Sequence, residues 1–146
     1  MRKLYLWSTQ REDEMNDSRT QPKTRVLMMP RDTNPAGTIF GGVILSYIDQ
    51  AGAEEARYHG AERVVTVAMK EVVFLRPVFV GDLVSFYTEL VRIGKTSITV
   101  RVQVTAARRW DRTEDVQVTE AEITYVNIDI DHQPTLLKPI PLGNSD

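Results

Sequence analysis

Asn34–Ala53 reads NPAGTIFGGVILSYIDQAGA, a turn-rich loop, a glycine pair and then an apolar run interrupted by a single carboxylate, Asp49. Asn34, Pro35 and Gly37 are turn formers, each for its own reason: Asn bonds its own backbone, Pro presets φ, and Gly accepts a left-handed turn. From Gly41 to about Tyr58 the apolar spacing predicts a helix. Gly42, Ser46, Asp49 and Ala53 fall on one stripe, and Val43, Ile44, Tyr47, Ile48 and Ala51 cover much of the remainder. A helix apolar on most sides belongs in a core. The polar second half, EEARYHG, ends at Gly60, a plausible C-terminal cap.

The start of this helix has chemical interest of its own. Its first N–H groups lack intrahelical acceptors, and the helix dipole favours negative charge there, so the glycine pair is a candidate oxyanion site. Close packing of helix on sheet would also explain small residues. Asp49 raises the opposite question, because burying a carboxylate is costly unless it is paired or used. It is either a satisfied acceptor on the helix or a reactive group.

Outward from the helix, the chain alternates. Thr24–Met29 (TRVLMM) reads as a short strand stopped by Pro30. Val64–Pro77 sets Val65, Val67, Met69, Val73 and Leu75 against Thr66, Ala68, Lys70 and Arg76, the pattern of a long strand closed by Pro77. After a turn at Val80-Gly81-Asp82, Leu83–Arg92 is a strand, and Gly94-Lys95 leads into Thr96–Ala106. There Ile98, Val100, Val102 and Val104 face one way, and Thr99, Arg101, Gln103 and Thr105 the other. Val116–Ile128 is a further strand whose phase shifts near Thr119–Ala121, the sign of a bulge. One apolar helix followed by a run of antiparallel strands predicts a two-layer α+β domain with the helix wrapped by the sheet.

The 146 residues suit one domain. Residues 1–23 are polar and charged, with no periodicity that would bury them, and read as a flexible leader; 24–128 form the domain; 129–146 are proline-punctuated and irregular. A net charge of −2 argues against a nucleic-acid binder. With no cysteine and only His59 and His132, which read as surface residues, neither a thiolate nucleophile nor a metal centre is expected. The apolar run in MRKLYLW is far below the roughly 7–15 residues of a signal peptide core. No membrane association is expected, and a cytoplasmic location is.

Three separated motifs then occur in one order: DTNPAGTIFGGVILSYIDQAG, VVTVAMKEVVFLRPVFVGD and RIGKTSITVRVQV. Over roughly Thr24–Ile128 this chain resembles the acyl-CoA thioester hydrolases of the hotdog fold. The resemblance implies a long central helix wrapped by a five-stranded antiparallel sheet. It also implies dimers joined sheet edge to sheet edge, assembling to tetramers or hexamers, and cleavage of acyl-CoA to fatty acid and CoA. Coenzyme A is then part of the substrate, and no cofactor is implied. Asp49 matches the family's catalytic carboxylate, Asn34 its polar loop residue and Gly42 its backbone donor. Val67, Ala68 and Met69 lie where relatives hold the pantetheine arm, and Lys95, Thr96 and Ser97 match the turn that meets the CoA nucleotide.

Each of these residues also has an ordinary explanation. Asn34 suits an Asx turn, Val67–Met69 a strand core, and Lys95–Ser97 a polar hairpin turn. A Lys beside two hydroxyls suits phosphate oxygens, with Arg101, Arg108 and Arg109 as possible supplements. Two rival activities are weighed by what they need. A hydratase or dehydratase of the same fold usually needs a His shuttle near the helix start, and no His lies between Thr24 and Tyr58. A non-catalytic acyl-CoA-binding module would keep Lys95–Ser97 and tolerate loss of Asp49. Gly42 and Asp49 are seven residues apart, about 10 Å along a helix, too far to serve one thioester carbonyl. A site shared across a dimer is therefore expected, with Asp49 from one chain and Asn34 and Gly42 from the other.

Overall fold

The computed structural model describes residues 21–109, 111 and 115–138. Most of the leader and the end of the tail, 1–20 and 139–146, lie outside these residues. Five strands and one long helix make up the body: β1 (Thr24–Leu27), α1 (Gly41–Tyr58), β2 (Val64–Lys70), β3 (Leu83–Ile93), β4 (Ser97–Ala107) and β5 (Asp115–Asn127), with a 3₁₀ turn at Pro30–Asp32. The sheet order is β1-β3-β4-β5-β2, and every neighbouring pair is antiparallel. The helix thus carries the chain from one sheet edge to the other.

Helix and sheet meet through a dry layer. Ile44, Ile48, Ala51, Gly52 and Ala56 form the buried face of α1. Against them stand Val84 and Phe86 of β3, the fully buried Ile98–Val104 set of β4, and Val118, Ile123 and Tyr125 of β5. Each such Val or Ile removed from water contributes about 1.5–3 kcal/mol, so this layer outweighs local propensity. The alternation expected for Thr96–Ala106 holds within one residue. The helix ends where expected, in a Schellman arrangement: Gly60 at φ 100° donates to Arg57 O, and Ala61 donates to Ala56 O.

Two strand expectations need correction. The run Val64–Pro77 is not one strand: β2 stops at Lys70, because Glu71 adopts φ 53° and turns the chain off the ladder. Beyond it the chain keeps only sparse bonds to β5, Leu75 N–H to Val118 O at 2.8 Å and Thr119 Oγ1–H to Val73 O at 2.8 Å. Val73 and Leu75 are consequently exposed. Within β2 the expected facing is inverted at Val65–Val67, while Met69 packs against the core as expected. Thr66 pairs with Tyr125 and Ala68 with Thr124, leaving Val67 as a bulged residue. The extra residue switches the phase: before it Val64 packs on the core and Thr66 reaches the helix, after it Met69 packs on the core, and Val65 and Val67 are exposed. The bulge in β5 is present slightly earlier than the phase shift indicates, at Val118, between the pairs Val104–Thr119 and Thr105–Gln117.

Both chain ends near the domain are tied down. Lys23 donates its N–H to Phe86 O and its ammonium meets Glu55 at 2.6 Å. Residues 129–138 lack helix or strand but are held: Asn127 Nδ2 donates to Leu136 O at 3.2 Å, and Leu137 N–H to Lys95 O at 3.0 Å.

Glu55 collects Lys23, Thr88 Oγ1 at 2.8 Å and His59 Nε2 at 2.9 Å. Burial pushes its carboxyl up, but these partners outweigh burial and hold it below its ordinary value of 4.5. A carboxyl lowered on folding adds stability above its unfolded pKa and loses it as pH falls through the folded value. Glu55→Gln is therefore expected to lower Tm at neutral pH, with the gap to wild type closing as pH falls through and below the ordinary carboxylate range. Tm measured against pH for both proteins checks this. A gap that stays constant into strong acid would show that the charge is not what stabilises.

Candidate active site

The helix start is open. Phe40 occupies the N-cap without a side-chain cap, and no acidic residue lies in the first turn. Val43 N–H reaches Phe40 O at 3.1 Å, whereas the N–H groups of Gly41 and Gly42 find no acceptor among the described residues. The two glycines differ in their reason. A Cβ on Gly41 would sit 3.3 Å from Phe74 Cε2, so packing explains it; a Cβ on Gly42 would meet nothing within 4 Å. Packing within one chain therefore gives no account of Gly42, and its exposed N–H remains available to a developing negative charge.

Asn34 lies in the loop that leads into that helix, in an Asx turn whose backbone N–H donates to Thr38 O at 2.8 Å. Its Oδ1 accepts from Ala36 N–H at 3.0 Å and Thr38 N–H at 3.2 Å, and its Nδ2 donates to Thr38 Oγ1 at 2.9 Å. The turn reading is thus correct, and it leaves the second amide hydrogen of Nδ2 with no acceptor among the described residues.

Asp49 projects from the middle of α1 toward the bulged edge strand. Thr66 Oγ1 donates to its Oδ1 at 2.7 Å. Thr66 was not legible as a site residue, because simple alternation puts it on the wet face; the Val67 bulge brings it to the helix. Val67 itself is 54% exposed, and β2, last in the sheet, leaves one side of its backbone unpaired within the chain.

Lys95, Thr96 and Ser97 close the β3–β4 hairpin, where Gly94 N–H donates to Ser97 O at 2.7 Å. The register Ser97–Val126–Val65 places this turn two strands from the start of β2, about 10 Å across the sheet. The supplementary arginines do not join it. Arg101 lies among Glu89, Glu120 and Glu122. Arg108 is bound to Asp82 and Pro77 O at the far end of β4, and Arg109 follows it in the chain. One chain therefore joins Asp49 to Thr66, the residue before Val67–Met69, and carries Asn34 on the loop that leads to Gly42. It does not unite the two groups.

A five-stranded antiparallel sheet around one helix is the hotdog fold, and likeness to known proteins adds that its class is thioesterase. The model of the thioesterase superfamily matches residues 36–110. The acyl-CoA thioester hydrolase YciA of Salmonella typhimurium is 40% identical over 120 residues, 81% of this chain and 88% of its own. A hexameric hotdog fold thioesterase of Campylobacter jejuni superposes with a TM-score of 0.77 at 48% identity, covering 83% of this chain and 92% of that one. An acyl-CoA hydrolase from Staphylococcus aureus, solved with butyryl-CoA and CoA, gives a TM-score of 0.71 at 27% identity over 80% of this chain and 70% of its own. The chain belongs to the acyl-CoA thioester hydrolase family of the thioesterase superfamily. No described helix is long and apolar enough to cross a membrane.

Proposed function

We propose that this acyl-CoA thioester hydrolase cleaves acyl-CoA with water to free fatty acid and CoA, at sites shared between two chains. Asp49 comes from one chain, and Asn34 and Gly42 from the other. The observation that carries this reading is the placement of Asp49 and Gly42 seven residues apart on one continuous helix, about 10 Å along its axis. Gly42 N–H receives the developing oxyanion, while Asp49 either draws the proton from water or attacks the carbonyl itself. The C–S bond breaks, and CoA leaves as the thiol. Structures of the Staphylococcus aureus relative exist with an Asp and an Asn each replaced by Ala, and those two residues are 15 apart in its chain, as Asn34 and Asp49 are here. That spacing supports the pairing.

In this reading the pantetheine arm runs along Val67, Ala68 and Met69. The Lys95-Thr96-Ser97 turn receives the nucleotide phosphates. Coenzyme A arrives as substrate, and no other cofactor takes part. The exposed apolar edge at Val65, Val67, Val73 and Leu75 needs a cover. A second copy pairing β2 to β2 provides it, and such dimers assemble further; the Campylobacter relative is hexameric. The cysteine-free, mildly acidic chain suits a cytoplasmic enzyme.

A thiol-release assay across acyl-CoAs of different length tests the reaction. The wild type is expected to turn over several of them. Tight CoA binding with no thiol released from any would reassign the protein as a binding module.

A further inference from the structure

Tyr125 of β5 is 1% exposed, yet it carries a hydroxyl into the helix–sheet layer. That hydroxyl donates to the backbone carbonyl of Asp49 at 2.8 Å. Room for it exists because residue 52 has no side chain: a Cβ on Gly52 would lie 2.4 Å from Tyr125 Oη and 3.2 Å from both Cε2 and Cζ. Glycine inside a helix is unfavourable, so a buried glycine at the third residue after Asp49 calls for such a reason. Tyr125 is also the cross-strand partner of Thr66, whose hydroxyl holds the Asp49 carboxylate. One cross-strand pair thus grips the same residue twice, at its backbone and at its side chain. Burial, and then the charge of Asp49, push the phenol well above its ordinary value, so it remains a donor across the working pH range.

We propose that Tyr125 is a positioning residue for Asp49, acting through the helix backbone in the clearance left by Gly52. The inference rests on the reading of Asp49 as the catalytic carboxylate. An attacking or proton-accepting group tolerates little displacement, since about 1 Å of error costs on the order of 100-fold in rate. Tyr125 sets where Asp49 stands relative to β5, and Thr66 on the next strand then orients the carboxylate.

The test is steady-state kinetics per active site, with acyl-CoA and thiol detection, on wild type, Asp49→Ala, Tyr125→Phe, Gly52→Ala and the double variant. Tyr125→Phe keeps the ring and removes only the hydroxyl. It is expected to lower kcat about tenfold with KM within about twofold of wild type. Gly52→Ala pushes the phenol away while leaving its hydroxyl, and is expected to act in the same direction. Combining the two is expected to cost no more than the worse single change, because both break one contact. A merely structural tyrosine would lower Tm while leaving kcat per folded site unchanged. If Asp49→Ala is inactive and Tyr125→Phe retains the wild-type kcat, the positioning role is wrong. If Asp49→Ala is as active as wild type, the reading of the site itself is wrong, whatever Tyr125→Phe does. Should Gly52→Ala fail to fold, Tyr125→Phe decides alone.

Discussion

Replacing Asp49 with Ala is expected to lower kcat for acyl-CoA hydrolysis by about 10²–10⁴-fold, the range a positioned acid–base group supplies. Stability is expected to move little or to rise. Asp is a poor residue within a helix and Ala the best, and the Thr66 hydroxyl that loses its acceptor lies where water can reach it. Loss of activity with an unchanged or higher Tm is the signature of a residue kept for chemistry. Thiol release and thermal melts on the same preparations measure both. Equal thiol release from the two proteins would remove Asp49 from the mechanism.

Mixing inactive chains is expected to restore activity. Asp49→Ala and Asn34→Ala homodimers each lack one half of every site. A hybrid dimer carries one site with both defects and one with neither. After random exchange at equal concentrations, about a quarter of all sites are intact, because half the dimers are hybrids with one good site each. From a background lowered by orders of magnitude this is a large recovery, limited to exchanged samples. Exchange is verified independently with differently tagged chains. Verified hybrids with no recovered turnover would show that each site is built within one chain, and the helix geometry would then need another explanation.

Much of this was legible in the chain. The helix from Gly41 to Tyr58 follows from its apolar spacing, and its stop follows from Gly60, which takes the left-handed conformation that ends a helix. The Gly94-Lys95 connection and the alternation of Ile98 to Val104 are likewise local. The expectation of a site divided between chains also rests on helix rise alone, since seven residues span about 10 Å whatever surrounds them.

What resisted reading was contact between segments far apart in sequence. Alternation assigned Val67 to the core, but it is the bulged residue against β5 and is exposed, and Thr66, though water-accessible, reaches the Asp49 carboxylate. Gly41 and Gly42 look alike as letters, but Phe74 stands over one and nothing over the other. Gly52 carries no signal at all until Tyr125, 73 positions later, is seen to fill its place. Periodicity and turn chemistry act over a few residues, so they can be read from the string. Strand register, bulge placement and the depth to which one side chain enters another element are settled by packing the whole layer at once, and only the folded chain shows why Asp49 stands where it does.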